Sequence, residues 1–251
     1  MQWHLGLYVH SLSLLASAIR EMSSSPPRWL GKCWYLSRFK TQTALRCIYD
    51  YLINAIGSQK VSCLCLLDLS AAFDTIDHNI IITRLSSWFG IHGSVLHWFK
   101  SYLSSRSFRV KCENNLSSPQ HSLYGVPQGS VLGPLLFILY TSPLSSLISS
   151  LSLNHHLYAD DTQLFLSFHP PDFDSPMTHL QDALQHISSW MTANLLTLNS
   201  SKTEFLLIGL QKQLAKINNF SLSTTDSARN LGFIFDTHLN FYSLRSNISC
   251  F

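Results

Sequence analysis

Apolar residues recur at helical spacing in four stretches of the chain. The first runs from Thr41 to about Ile56, and the second follows Asp77, which is placed to cap a helix, and stops at Gly90. Because side chains three and four positions apart share one helical face, each stretch predicts an amphipathic helix. The apolar positions are Leu45, Ile48, Leu52 and Ile56; Ile80, Ile81, Leu85, Trp88 and Phe89; Val95, Trp98, Phe99 and Tyr102; and Met177, Leu180, Leu184, Ile187 and Met191.

Other segments have the patterns of strands and turns. The run VSCLCLLDL (61–69) is apolar almost throughout, which predicts a buried strand that ends at Asp68. In HHLYADDTQLFLSF (155–168), two apolar runs flank a polar turn, which predicts a tight hairpin with Asp160 and Asp161 at its tip. The segments SFRVKCENNLSS, TEFLLIG and NLGFIFD are also interpreted as strands, the first entering an Asn-Asn turn.

The order of these elements indicates the fold class. Between the strand segments, GVPQGSVLGPLLFILY is a Gly/Pro loop that opens an apolar helix. Strands and helices alternate irregularly and without an internal repeat. This arrangement favours an α+β fold, with helices packed on one face of an antiparallel sheet.

Composition adds two limits. Hydrophobic residues make up 46% of the 251 residues and charged residues only 12%, about half the usual share for a soluble domain. A low charged fraction suits a piece of a larger protein whose exposed face meets other domains. The net charge of +3 permits nucleic-acid binding without indicating it.

The six cysteines and the N-terminal segment carry no metal or targeting signal. The cysteines form no C-x-x-C pair, so a reducing compartment, nucleus or cytoplasm, is expected; Cys63 and Cys65 alternate along the apolar run as small core residues. Residues 1–22 are apolar for about 18 positions, interrupted by His4 and His10, and lack a basic start, which favours a helix over a signal peptide; no membrane partner is expected. The Ser/Pro stretch SSSPPRW then resembles a junction.

Three carboxylates stand out by context. Asp68 ends a hydrophobic strand, and Asp160 and Asp161 occupy a hairpin tip. If the two elements are neighbours in the sheet, the carboxylates converge, and such a cluster repels itself unless cations fill it. Hard oxygen ligands suit Mg²⁺, and two such ions can support phosphoryl transfer. The alternative is that these aspartates only cap backbone groups in turns.

Five motifs in order resemble a known family. They are LLDLSAAFDTIDH, GVPQGSVLGPLLF, YADDT, LNSSKTEFLLIG and NLGFIFD, and together they are similar to the palm motifs of non-LTR (LINE-type) retrotransposon reverse transcriptases. The resemblance covers about residues 38–241. It implies the palm of a right-hand polymerase, with RNA template, DNA primer and dNTP as partners.

The resemblance also implies catalytic roles. Asp68 and Asp160 correspond to the aspartates that hold two Mg²⁺ ions, Asp161 completes the triad, and the backbone carbonyl of Leu69 touches a metal. Lys202 corresponds to a lysine that is thought to protonate the pyrophosphate leaving group. A solvated surface lysine is the alternative for that position.

Three further residues correspond to substrate contacts. Phe73 matches the aromatic residue beneath the incoming sugar, where a ring excludes a 2′-hydroxyl; the alternative is a core aromatic. Gln128 and Gly129 match the loop that packs against the nascent base pair and template. A glycine suits that loop because it allows close approach of the backbone to nucleic acid.

The chain departs from the family at both ends. Residues 1–34 contain no recognisable finger motif and remain unassigned, residues 35–241 are expected to form the palm with partial fingers, and residues 242–251 form a short tail with no thumb after it. The missing polymerase parts are expected from a longer polyprotein.

Three functions follow from these residues. The first is an RNA-directed DNA polymerase that uses two Mg²⁺ ions. The second is a catalytically inactive retroelement remnant that acts at most as a binding or structural module. The third is a two-metal phosphohydrolase with the same aspartates, which leaves Phe73 and the VPQGS loop unexplained.

Overall fold

The computed structural model describes residues 41–104, 106–127, 129–130, 132–217 and 223–239, with the side chains of residues 41–44 excepted. The helices of this part are α1 (Thr41–Gly57), α2 (His78–Ser87), α3 (Gly93–Leu103), α4 (Gly133–Ser150), α5 (Asp174–Ala193) and α6 (Gln211–Leu214). The strands are β1 (Val61–Leu67), β2 (Leu69–Ser70), β3 (Ser107–Phe108), β4 (Lys111–Cys112), β5 (Asn115–Leu116), β6 (Gln120–His121), β7 (Asn154–Tyr158), β8 (Asp161–Phe168), β9 (Thr197–Leu198), β10 (Glu204–Ile208), β11 (Ser227–Asn230) and β12 (Phe233–Asp236).

The chain divides into two compact units. The first contains residues 71–143 and 192–196, and the second contains residues 39–70, 144–191 and 197–251, each with its described residues. Both α4 and α5 therefore contribute residues to each unit. The mixed helices and antiparallel strands confirm the predicted α+β class.

A four-stranded antiparallel sheet forms the centre of the second unit. Its strand order is β10-β1-β8-β7, so β1 pairs with β10 on one side and with β8 on the other. All seven residues of β1 are buried, as the continuous apolar run predicts. Its side chains are apolar or small at every position, and Ser62 is the one hydroxyl among them.

One face of this sheet packs against α1. Ile48 and Leu52 of the helix are fully buried, and they share a core with Leu64 and Leu66 of β1. The hairpin of β11 and β12 completes the same core through Phe235. Cys63 and Cys65, at alternate positions of β1, are also buried, and burial raises the pKa of the Cys63 thiol to about 12.

The first unit contains α2, α3 and the Gly/Pro loop. Asp77 caps α2 as predicted, because its carboxylate accepts a hydrogen bond of 2.8 Å from the Ile80 N–H. The Arg84 guanidinium is buried and donates to the Tyr140 carbonyl and the Asn194 side chain. These hydrogen bonds hold α2 against other parts of the same unit.

Gly125 fixes the loop that precedes α4. Its φ is +81°, and a Cβ there would lie 3.0 Å from the Asp74 carbonyl oxygen. Its N–H donates to the Ile76 carbonyl at 2.7 Å, and the next N–H donates to the Phe73 carbonyl at 2.9 Å. Glycine is therefore required at this position for both conformation and space.

Two strand predictions are wrong in detail. The segment 107–118 is not one strand: β3 and β4 are two residues each, and the turn before β5 lies at Glu113–Asn114 rather than at the Asn-Asn pair. These residues are exposed, so no buried face extends the pairing. The segment NLGFIFD contains the predicted strand, β12, but this strand begins only at Phe233, because Leu231 and Gly232 both have positive φ and form a turn after β11.

Some predictions concern residues outside the described part. Residues 1–34, with the predicted helix and junction, and residues 242–251 are among them, so the division of the chain into 1–34, 35–241 and 242–251 stays a prediction. Among the described residues, no helix combines the length and apolar character that a bilayer crossing requires.

Candidate active site

Asp68 lies at the end of β1, before the short strand β2. Its backbone carbonyl accepts a hydrogen bond of 2.8 Å from the Asn199 N–H, and its Oδ2 accepts another of 3.1 Å from Asn199 Nδ2. The Lys202 Nζ atom is 3.5 Å from the same Oδ2. The turn after β9 therefore supplies two side-chain donors to one oxygen of this carboxylate.

The second pair of aspartates lies on the β7–β8 hairpin. Asp160 occupies the turn after Ala159, whose φ of +51° is in the left-handed region. Asp161 is not in the turn itself: it is the first residue of β8 and pairs with Tyr158. The predicted hairpin is confirmed, and the position of Asp161 is shifted into the strand.

The register of the sheet brings the two elements together. Leu67 of β1 pairs with Thr162 of β8. Because the two strands are antiparallel, the residue that follows Leu67 and the residue that precedes Thr162 lie at the same end of the sheet. Those residues are Asp68 and Asp161. The predicted adjacency of the strand end and the hairpin is therefore confirmed.

Electrostatics couple the three carboxylates. Burial, as the largest cause, and the negative charges of Asp160 and Asp68 together raise the pKa of Asp161 to about 6. Among the described residues, no group of three or more His, Cys, Asp or Glu side chains is arranged to hold a metal ion. The oxygen ligands and their mutual repulsion nevertheless suit a hard divalent cation.

A cavity of about 320 Å³ opens beside Asp68 and Asp161. Its lining carries charges of both signs. The acidic residues are Asp68, Asp161 and Glu204, and the basic residues are Lys202 and Arg229. The remaining lining residues are Leu66, Leu67, Thr162, Gln163, Ser201, Asn230 and Leu231. A cavity of this polarity can accept a phosphorylated ligand together with cations.

A chain of side-chain hydrogen bonds lies at the wall of this cavity. His156 Nδ1 and Gln163 Oε1 are 3.1 Å apart, and Gln163 Nε2 donates to Asn230 Oδ1 at 3.0 Å. Within the described residues, Asn230 Nδ2 is buried and has no hydrogen-bond partner. Burial lowers the pKa of His156, so its imidazole favours the neutral form.

The remaining predicted residues are distributed between the units. Leu69 is buried in β2 of the second unit and pairs with Leu198. Phe73 is half-buried in the first unit, where its ring centroid is 4.9 Å from that of Phe137. Gly129, also in the first unit, has a φ of +78° and open space where a Cβ would be. Gln128 lies outside the described residues.

Asn199 was not predicted as a site residue. It lies in the LNSSK motif, three residues before Lys202, and its partner Asp68 is 131 positions away in the chain. The sequence signal that points to it is the polar turn LNSSK immediately before a buried strand, at the same sheet end as Asp68. The roles of all these residues remain predictions.

Comparison with known proteins identifies the family. Residues 35–235 match the family described as reverse transcriptase (RNA-dependent DNA polymerase). The chain is 29% identical over 209 residues to the probable RNA-directed DNA polymerase from transposon BS of Drosophila melanogaster. It is 26% identical over 209 residues to the RNA-directed DNA polymerase from mobile element jockey of Drosophila funebris. These matches cover 76% and 80% of the chain but 22% of each relative.

Solved structures show the same fold. The apo telomerase of Candida tropicalis, truncated from its C-terminal domain, matches 94% of the chain with a TM-score of 0.59 and 14% identity, over 44% of its own length. The telomerase of Candida albicans, in complex with a fragment of telomeric RNA, matches 91% of the chain with a TM-score of 0.60 and 16% identity, over 36% of its own length. The chain belongs to the reverse transcriptase (RNA-dependent DNA polymerase) family, of the non-LTR retrotransposon type.

Proposed function

We propose that this chain is the palm of an RNA-directed DNA polymerase. In the proposed reaction the 3′-hydroxyl oxygen of a primer attacks the α-phosphorus of a dNTP, a new P–O bond forms, and pyrophosphate leaves. The observation that supports it most directly is the β1–β8 register, which puts Asp68 and Asp161 at one end of the sheet in a chain of this family.

The carboxylates are the proposed ligands of two Mg²⁺ ions. Asp68, Asp160 and Asp161 would hold them, together with the carbonyl of Leu69. When bound, the two ions supply charge neutralisation at the reacting phosphate and a lowered pKa for the attacking hydroxyl. The pKa of Asp161, raised to about 6 first by burial and then by Asp160 and Asp68, supports this assignment because a cation would relieve the part of the rise that comes from the neighbouring negative charges.

The residues of the chain contribute position and charge. Lys202 is the proposed ligand of a phosphate oxygen and proton donor to the leaving pyrophosphate, and its position beside Asp68 in the cavity lining supports this role. Phe73 is the proposed barrier to a 2′-hydroxyl. Gly129 and Gln128 are the proposed contacts of the template and the nascent pair, and the open space at Gly129 is compatible with that role.

The proposed partners are an RNA template, a DNA primer and a dNTP. The names of the Drosophila relatives describe RNA-directed DNA synthesis, and the Candida albicans telomerase is complexed with RNA. The chain corresponds to about a fifth of the length of those relatives, so we propose that the other contacts to nucleic acid come from further parts of a longer protein.

A primer-extension assay tests the proposal. The purified chain is incubated with poly(rA), oligo(dT), dTTP and Mg²⁺, beside an Asp160→Ala variant and an Asp172→Ala variant. Asp172 is an exposed aspartate after β8, so its loss should leave extension unchanged. Extension that is lost only in Asp160→Ala supports the polymerase.

Two other results have distinct meanings. Extension no greater than that of Asp160→Ala rejects the enzyme for this chain and favours the inactive remnant. Hydrolysis of bis-p-nitrophenyl phosphate without template, lost in Asp160→Ala, favours the phosphohydrolase instead.

A further inference from the structure

We propose that Asn199 is a positioning residue that fixes the orientation of the Asp68 carboxylate. This inference rests on the proposed function, in which Asp68 holds a metal ion. It adds a residue that is not among the metal ligands and that acts through one of them.

The backbone first fixes the place of Asn199. Its N–H donates to the Asp68 carbonyl at 2.8 Å, next to the paired strands β2 and β9. Its own carbonyl accepts from the Lys202 N–H at 3.1 Å and from the Thr203 hydroxyl at 3.0 Å. The backbone of Asn199 is therefore fixed at both polar groups: its N–H is bonded to Asp68, and its carbonyl is bonded to Lys202 and Thr203 of the same turn.

The side chain is held in one orientation. The Ser201 hydroxyl donates to Asn199 Oδ1 at 2.7 Å, while Nδ2 is 3.1 Å from Asp68 Oδ2. An ionised carboxylate can only accept hydrogen bonds, so the amide must present its NH₂ group to Asp68. Ser201 satisfies the opposite end of the amide and opposes its rotation.

The consequence for Asp68 is a distinction between its two oxygens. Asn199 Nδ2 and Lys202 Nζ both approach Oδ2, which leaves Oδ1 as the oxygen that neither donor engages. A carboxylate with one oxygen held in place presents the other in a defined direction. Groups that orient a metal ligand in this way raise the affinity of the site for the ion.

Lys202 does not perform this task. Its side chain is 67% exposed and its Nζ atom is 3.5 Å from Asp68, the geometry of a flexible surface ion pair. Asn199 has a short side chain, is half-buried and has partners at both ends of its amide. Lys202 is thus free to follow a phosphate while Asn199 keeps Asp68 oriented.

The contact can be tested without metal or activity. In the full chain with ¹⁵N-labelled asparagine, the Nδ2 protons of Asn199 are assigned by their loss in Asn199→Ala. We expect one of these protons to resonate downfield because it donates to a carboxylate, and to move upfield in Asp68→Ala. A resonance that is unchanged in Asp68→Ala overturns the proposal.

The consequence for metal binding is tested with Mn²⁺, whose free concentration is measured by electron paramagnetic resonance. Asn199→Ala should weaken binding at the Asp68 site about 10-fold or more, and Ser201→Ala should weaken it less but in the same direction. Ser200→Ala, at an exposed neighbour in the same turn, is the control and should match the wild type.

The outcomes separate this inference from the proposed function. Unchanged Mn²⁺ affinity in both Asn199→Ala and Ser201→Ala overturns the positioning role, even if the wild-type chain binds Mn²⁺ and extends primers. A wild-type chain that binds no Mn²⁺ rejects the proposed metal site instead, and the resonance of Asn199 then decides the contact alone. Ser201→Ala keeps the test available if Asn199→Ala does not fold.

Discussion

Among single residues, Asp161 combines burial with repulsion from two other carboxylates. The pKa of its carboxyl rises from 3.8 to about 6, first because it is half-buried and then because of Asp160 and Asp68. The folded chain therefore holds this proton more tightly than the unfolded chain. The stability that protonation contributes is present below pH 4 and is lost as the pH rises through 6.

The direction of this pKa shift predicts how Asp161→Asn changes the stability of the chain. Without divalent cations, we expect the variant to have a higher free energy of unfolding than the wild type at pH 7.5, by about 1–2 kcal/mol after screening by water. The difference should shrink towards pH 4, where the wild type is protonated too. Urea unfolding at several pH values measures it, with the exposed Asp172→Asn as control. A difference that does not change with pH contradicts the explanation.

Gly125 carries a constraint of a different kind. We expect Gly125→Ala to lower the free energy of unfolding by about 2 kcal/mol or more, because the new Cβ meets the Asp74 backbone and the positive φ becomes strained. Gly90→Ala is the matched control: its φ is also positive, at +63°, but a Cβ there would meet nothing within 4 Å. Equal losses in the two variants would mean that the close approach to Asp74 is unimportant.

Among the elements, the β7–β8 hairpin shows how a strained turn presents an acidic residue. Ala159 adopts the left-handed conformation immediately before Asp160, although its Cβ makes that conformation unfavourable. The pairing of Tyr158 with Asp161 closes the turn around these two residues. The strand pairs thus impose the conformation that the turn residue alone would avoid.

Ala159→Gly should therefore stabilise the chain. Glycine removes the left-handed strain, and we expect a net gain of about 0.5–1 kcal/mol after the larger entropy of the unfolded chain is subtracted. Thermal unfolding measures the change. Ala215→Gly, at an exposed residue with an ordinary φ of −63°, provides the comparison and should give no gain.

The elements that the sequence predicts well are those with a buried pattern. Helix α1 and strand β1 follow from their apolar residues, and the hairpin follows from two apolar runs around one polar turn. The exposed segment 107–118 has no such pattern, so its short pairs and its turn at Glu113–Asn114 could not be predicted. The strand predicted in NLGFIFD is present but begins late, at Phe233, because the backbone turns at Leu231–Gly232 within the apolar run.

The candidate site likewise contains residues that the sequence predicts and residues that it does not. Asp68, Asp160 and Asp161 stand out because charge follows apolar strands, which a sequence displays directly. Asn199 does not, because its meaning depends on a contact across 131 positions. The cavity residue Arg229 lies on the β11–β12 hairpin, which shares a core with residues distant in the chain such as Leu64 and Leu206, and its local sequence carries no comparable signal.

For the whole molecule, the buried cysteines of β1 report whether the fold is intact. A variant with Cys33, Cys47, Cys112 and Cys250 replaced by alanine retains Cys63 and Cys65, whose thiol pKa values are raised by burial. We expect Ellman's reagent to leave both thiols unmodified in buffer and to modify them as urea unfolds the chain. Because the thiols lie in the central strand, their modification should follow the loss of circular dichroism. Rapid modification in buffer would show that this sheet opens locally.

The burial of β1 on both faces limits which mutations this strand can accept. Exchange among small and branched apolar residues at positions 61–67 alters packing but leaves Asp68 where it is. Deleting two of these residues keeps the alternation of side chains between the two faces of the sheet. It nevertheless moves Asp68 by about 7 Å along the strand, the rise of two strand residues. We therefore expect tolerance of substitution in this strand alongside strict intolerance of insertions and deletions, a contrast that a library of both kinds of mutant would reveal.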